Sequence, residues 1–226
     1  MEPLRLSIVV PALDEAAALQ RCLPAARSQA DELIVSDGGS GDGTAAVASA
    51  LGARVVCGPP GRGPQLNRGA AAASGDVLLF LHADTLLPPQ AGEGVRRAVA
   101  AGRRWGAFPL AFDDPSWRFR LTGRLISWRT RLTGLPLGDQ AQFVTRRAFA
   151  EIGGFRDWPV LEDLDLARRL RRQQHPALLP WPVTTAARRY RQRGLLRTVV
   201  RNWLIWALFV LGVPPRRLAG LYRHVR

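Results

Sequence analysis

Four places along the chain carry side chains that chemistry can use. Asp37 ends the run Glu32–Asp37 (ELIVSD) and opens a turn with glycine at positions 38, 39, 41 and 43. Either this carboxylate is presented to a ligand by a backbone free to approach it, or it belongs to an ordinary strand–turn–helix joint capped by Asp42 or Thr44. Arg62, Gln65, Asn67 and Arg68 surround Pro64, a residue suited to the first position of a helix. A helix start with an arginine beside it is a ready phosphate site; solvated surface is the plainer alternative. His82–Ala83–Asp84 follows the apolar run Val77–Leu81. Asp84 suits Mg2+ or Mn2+, which share oxygen ligands with substrate phosphates. His82, two residues earlier, faces the same side if the strand persists. Alternatively, Asp84 caps the next helix and His82 is a satisfied, half-buried histidine. Glu162, Asp163 and Asp165 fall in the first turn of a helix starting near Leu161. They complement the helix dipole, Asp165 can pair with Arg168 or Arg169, and one of them can serve as a general base.

The elements that must hold these residues alternate. Arg5–Pro11, Glu32–Asp37, Arg54–Cys57 and Val77–Leu81 read as strands; Ala16–Ser28, Thr44–Leu51, Pro64–Ala73 and Pro89–Ala101 read as helices. This β-α repetition predicts parallel strands joined by right-handed crossovers. The candidate residues then fall at the carboxyl edge of the sheet, where open α/β sheets bind ligands. Beyond residue 100 the pattern is less regular. Trp105–Phe112 reads as one strand, and Ser116–Leu132 as a helix with Trp117, Leu121, Leu125 and Trp128 at helical spacing. Gln142–Thr145 and Ala177–Trp181 read as strands, Arg147–Ile152 and Leu161–Arg172 as helices.

The totals bound the class. The chain has 226 residues, 47% hydrophobic, with seven tryptophans, so it is long enough and apolar enough for one domain with a real core. Net charge is +14, and all 32 basic residues are arginine. Two explanations compete: a phosphate-bearing partner, or the codon bias of a GC-rich genome. Cys22 and Cys57 are too few for a disulfide framework or zinc site and read as buried thiols. No basic segment precedes the apolar run Ile8–Val10, so no leader is expected, and a reducing cytoplasm, at the inner face of the membrane or away from it, is the expected location.

The order of these features resembles glycosyltransferase family 2, the nucleotide-sugar enzymes of the GT-A fold. The resemblance rests on Ile8–Glu15 (IVVPALDE), Val35–Thr44 (VSDGGSGDGT), Leu81–Thr85 (LHADT), Gly153–Phe155 and Glu162–Asp163, and covers about residues 5–170. It implies a Rossmann-like, three-layer α/β/α fold with a mainly parallel central sheet, forming a single domain over 1–226 with 194–226 as a C-terminal helical appendage. It also implies a metal-dependent, inverting transfer of a sugar from a nucleoside diphosphate, UDP first among them, to an acceptor hydroxyl. Pro11, Leu13, Glu15, Asp37, Gly38, Arg62, Asn67, His82, Ala83 and Asp84 would bind the nucleotide sugar. Asp84, with His82, would carry Mn2+ or Mg2+. Asp163, with Glu162 beside it, would be the base, and Asp139 and Gln140 would lie on the acceptor side. Two positions depart from the family pattern: His82 stands where the first acid of Asp-x-Asp is usual, and Leu13-Asp14 precedes Glu15 where an aromatic residue and Asn are usual. The short chain is similar to compact bacterial members sometimes linked to arsenosugar formation.

Trp203–Val213 (WLIWALFVLGV) is apolar throughout and follows an arginine-dense stretch. Its 11 residues fall short of the roughly 20 needed to cross a bilayer. It is expected to be buried, to pair with a second copy, or to lie in a membrane interface with Trp203 and Trp206 at headgroup depth. Two rival functions remain. A sugar nucleotidyltransferase would need a Gly-rich phosphate loop after the first strand, which is missing. A nucleic-acid binder would need basic–aromatic interleaving, which occurs only near Tyr190–Trp206.

Overall fold

The computed structural model describes residues 4–223, the side chains of 189, 193, 222 and 223 excepted. The last three residues of the expected C-terminal segment lie outside it. A seven-stranded sheet runs in the order β3-β2-β1-β4-β8-β6-β9. The strands are β1 (Leu6–Ala12), β2 (Glu32–Asp37), β3 (Arg54–Cys57), β4 (Val77–Phe80), β6 (Trp105–Ala107), β8 (Phe143–Thr145) and β9 (Ala177–Leu178). The first four are parallel, with Val9 facing Ile34 on one side and Phe80 on the other. β8 inserts antiparallel between β4 and β6. The sheet is therefore mixed but mainly parallel.

Side-chain alternation along β1 feeds two cores, as a period of two requires. Leu6, Ile8 and Val10 enter one layer with Leu19, Leu23, Val35 and Leu79. Val9 enters the other with Ile34, Leu66, Leu78, Phe80 and Leu164. The helices α1 (Ala16–Arg27), α2 (Thr44–Ala50), α3 (Arg62–Ala72), α4 (Ala91–Ala100), α5 (Trp117–Thr133), α6 (Arg146–Glu151) and α7 (Glu162–Arg171) follow in chain order. Three more, α8 (Arg188–Arg193), α9 (Leu195–Val210) and α10 (Pro215–Arg223), end the described chain. Ile205 and Phe209 of α9 and Leu218 of α10 are buried in the second layer.

Several expectations need correction, and others gain detail. Trp105–Phe112 is two strands, not one: β6 stays in the main sheet, and β7 (Leu110–Phe112) leaves it for a small sheet ordered β5-β10-β7. Pro109, which has no N–H to donate, lies at the break. The other two members, β5 (Thr85–Leu86) and β10 (Val183–Thr185), were too short to carry a pattern. α3 begins at Arg62, so Pro64 sits inside its first turn rather than at its start. α5 turns the opposite face inward: Phe119, Thr122, Gly123, Ile126, Arg129 and Thr130 are buried, while Trp117, Leu121, Leu125 and Trp128 are exposed. Cys22 is buried as expected, but Cys57, the last residue of edge strand β3, is exposed. Among the described residues no helix is long and apolar enough to cross a membrane.

Candidate active site

The ends of β1 and β2 are zipped together by their loops. Asp37 is nearly buried, and its Oδ2 accepts from the N–H groups of Gly39 and Ser40, both at 3.1 Å. Asp14 Oδ1 accepts from Gly41 N–H at 2.9 Å, and Ser40 Oγ accepts from Asp14 N–H at 2.9 Å. The residue that caps α2 is Gly43, neither Asp42 nor Thr44; Asp42 Oδ1 does accept from the N–H of Thr44, the first residue of the helix, at 3.0 Å. Gln65 closes the floor beneath: its Nε2 donates to the carbonyls of Ala12 (2.8 Å) and Ser36 (2.9 Å). Pro11, Leu13, Glu15, Asp37 and Gly38 thus share one edge, with Leu13 exposed.

Beside that edge lies a cavity of about 470 Å³. Arg62, His82, Asp84, Asp139, Glu162 and Asp163 line its polar end. Asp84 sits in the turn between β4 and β5, and the next helix, α4, is capped at Gln90, so Asp84 is not its cap. Arg62 Nε lies 3.4 Å from Glu162 Oε1, and the Glu162 side chain is buried. The same guanidinium lies against the His82 ring, with Nη2 3.0 Å from Nδ1. Nη2 also approaches Nε2, so the guanidinium engages both ring nitrogens, and the one that accepts from it has no lone pair free for a cation while the contact lasts. Among the described residues no group of three or more His, Cys, Asp or Glu gathers to hold an ion by itself. Mg2+ is commonly bound through one or two carboxylates plus substrate phosphates, and Asp84, an oxygen donor on the cavity wall, fits that pattern.

Asp163 is fixed from two sides. Its Oδ2 accepts from Gly138 N–H at 2.5 Å and its Oδ1 from Leu164 N–H at 2.7 Å. A Cβ at position 138 would lie 2.7 Å from His82 Nε2 and 2.8 Å from Asp163 Oδ2, so a side chain there would push one of these groups aside. Leu161, the residue capping α7, has φ 65°, and Ala141, just past the Gly138–Gln140 turn, has φ 46°. Backbone strain of this kind persists where the surroundings over-determine it, and here both positions flank Asp163. Asp139 is half-buried as a residue, but its Oδ1 is shut from solvent without a hydrogen-bond partner. Burial, reinforced by the neighbouring Asp163, pushes its pKa up to about 6. Arg129, buried against Asp139 and Asp163, opposes that rise, and its own pKa is lowered by burial.

Two expected residues have other work. Asn67 Nδ2 donates to Phe155 O at 2.8 Å and its Oδ1 accepts from Phe155 N–H at 2.9 Å, so its amide pins a loop. Gln140 is fully buried; it accepts from Thr130 Oγ1 at 2.8 Å and donates to Phe108 O at 3.0 Å, so it braces the Gly138–Gln140 turn from within. Asp165 pairs with Arg169 at 2.8 Å, the i+4 partner open to it in the sequence. Several lining residues were not foreseen. Arg129, Ile126, Trp158, Tyr190 and Asn202 join Trp203 and Trp206 in closing the cavity. The Arg129 guanidinium lies 5.5 Å from the Trp206 ring centroid. Trp203 and Trp206 are half-buried on the cavity wall rather than out at a headgroup surface.

The comparisons with known proteins agree with this layout. A family model described as Glycosyl transferase family 2 matches residues 7–153. The chain belongs to that family. Its architecture is the GT-A type of α/β fold, shared with solved relatives. A mannosyltransferase from Pyrobaculum calidifontis, solved in complex with GDP-Man and Mn2+, superposes with a TM-score of 0.69 at 18% identity, covering 100% of this chain and 71% of that one. Glucosyl-3-phosphoglycerate synthase from Mycobacterium tuberculosis, solved with Mn2+ and UDP-glucose, gives 0.63 at 24% identity, covering 93% and 80%. In sequence, that same family 2 relative (strain H37Rv) is 40% identical over 96 residues, 37% of this chain and 30% of its own length. The match therefore spans under a third of the curated relative.

Proposed function

We propose that this chain transfers a sugar from a nucleoside diphosphate sugar to an acceptor hydroxyl, with inversion at the anomeric carbon. The observation that carries this reading is the sharing of one cavity by Asp163, Asp84 and Arg62 at the carboxyl edge of the parallel strands. Pro11, Leu13, Glu15, Asp37 and Gly38 would seat the nucleoside, with Ala83 beside the sugar. Arg62, oriented by Glu162 and His82, would donate to the diphosphate as negative charge builds on the leaving group. Mn2+ or Mg2+ held at Asp84 would supply further neutralisation of that charge. Asp163 would take the proton of the acceptor hydroxyl as it attacks from the opposite face. Its two backbone N–H donors keep the carboxylate in one orientation. Glu162 acts here through Arg62, so it is a positioning residue rather than a second base.

Relatives solved with UDP-glucose and with GDP-Man make those two the first donors to try. Asp139, Arg129, Tyr190, Asn202, Trp203 and Trp206 would face the acceptor. Acceptors to test include 3-phosphoglycerate, from the relative's name, and the arsenosugar precursors suggested by the compact members. A thermal-shift panel of UDP-, GDP- and dTDP-sugars with Mn2+ selects the donor, and Asp163→Asn then decides the chemistry. That variant is expected to bind the donor normally and to lose transfer by about 10²–10⁴-fold. Unchanged turnover removes Asp163 from the role.

A further inference from the structure

The outward face of α5 has no use in the site just described. Trp117, Leu121, Leu125, Trp128 and Leu132 are 63%, 47%, 42%, 57% and 60% exposed. At 100° per residue they fall within an arc of about 80°, one continuous stripe along the helix. Large apolar side chains scattered singly on a surface are ordinary; a contiguous stripe with a tryptophan at one end and another near its middle marks a contact surface. Exposed Arg120, Arg124 and Arg131 run along one border of the stripe, and exposed Arg118 stands on the other, its guanidinium 5.8 Å from the Trp117 ring. The helix contains no acidic residue.

We infer that α5 docks this protein onto an anionic lipid surface, with the Trp117–Leu132 stripe in the headgroup–acyl boundary and the flanking arginines on lipid phosphates. An interfacial helix needs this pairing: Trp and Leu on one face and arginines at its edges. Arginine suits the position because its stem packs against apolar material while its head reaches polar groups. A second copy of the chain is a poorer occupant. A two-fold contact sets the same patch against itself, which brings the arginine border against another arginine border with no acid on the helix to compensate. The nearest acids, Asp113 and Asp114, already pair with Arg191 of α8. α9 shows a shorter row of the same kind, with Leu196, Val200 and Leu204 exposed at steps of four. It meets α5 where Arg129 lies against Trp206. The inward face of α5 supplies Ile126 and Arg129 to the cavity, so a docked α5 sets the cavity wall beside the lipid.

Flotation of the full chain with phosphatidylcholine vesicles, with and without phosphatidylglycerol, tests the inference without reference to glycosyl transfer. The chain is expected to float with the anionic vesicles and to be released by high salt. Trp117→Ala/Trp128→Ala and Leu121→Gln/Leu125→Gln are each expected to weaken partitioning by about tenfold or more. Arg120→Gln/Arg124→Gln/Arg131→Gln is expected to flatten the dependence on phosphatidylglycerol and on salt. These positions are exposed, and unchanged circular dichroism and Tm confirm that the variants fold. Equal flotation of the stripe variants and the parent chain overturns the inference. So does a lipid-free dimer, seen by analytical ultracentrifugation, that the stripe variants dissociate.

Discussion

The Gly138 backbone N–H donates to Asp163 Oδ2 at 2.5 Å, so the turn before β8 holds the carboxylate at the start of α7. These segments are 25 residues apart in sequence, and the close approach leaves little room for a side chain at position 138. A methyl group there meets Asp163 and His82 together. Gly138→Ala is therefore expected to move the carboxylate by a fraction of an ångström. Misplacement on that scale is expected to lower kcat by about 10²-fold, while donor affinity, to which Asp163 would not contribute, is expected to stay near that of the parent. Steady-state kinetics beside calorimetric donor binding separates the two; an equal loss in both shows a collapse of the site instead.

Asp84 and His82 should part company when changed. Asp84 is a carboxylate on the cavity wall, whereas His82 lies against Arg62. Asp84→Ala is expected to bring donor affinity with and without Mn2+ to about the same value. His82→Gln keeps the dependence on Mn2+. Calorimetric titration of both variants, with and without the ion, reads this directly, and loss of the Mn2+ effect in His82→Gln restores the histidine to the ligand set.

Asn67 makes the contrary case, a residue whose change is felt in the fold. Both ends of its amide are paired with the Phe155 backbone, 88 residues away. Asn67→Ala leaves a buried N–H and C=O without partners, which costs about 1–3 kcal/mol. Urea unfolding should show that loss while donor Kd holds steady. A large rise in Kd with unchanged stability would place Asn67 at the nucleotide after all.

How much of this was legible follows from the length of the signals. β1 to β4 with their helices could be read because each is a run of mostly apolar residues stopped by a polar residue, glycine or proline, as in Val77–Leu81 before His82. β5 and β10 have two and three residues, too few for any period, and exist through pairing with each other. α5 was legible as a helix, but not which of its faces packs. Its most apolar stripe is the exposed one, and its packed face relies on small and polar residues, with Gly123 directly under the Leu110 carbonyl. Arg129 stands in the string WRTRL, where every arginine looks solvated. Only the three-dimensional course of α9 shows that it is buried beneath Trp206. Acids and glycines at the ends of strands were readable one by one; which of them meet was not, because Gly138 and Asp163 are joined by loop geometry that leaves no periodic trace.

Asp139 yields a prediction in pH. Its carboxyl has a pKa near 6 in the folded chain against an ordinary value of 3.8, chiefly because burial disfavours the charged form, with Asp163 adding to the effect. The folded state therefore binds the proton more tightly than the unfolded state does. Below the unfolded value both states are protonated and Asp139 has no effect; as pH rises toward 6 the unfolded chain ionises first, and stability falls. The penalty is complete above the folded value and amounts to at most about 3 kcal/mol. Asp139→Asn removes the ionisation while keeping the shape. It is expected to raise Tm at about pH 7 relative to the parent chain and to change it little at about pH 4. Thermal unfolding of both proteins across that range checks the difference; a gap that is constant with pH, or larger on the acid side, shows that Asp139 does not ionise with a raised pKa.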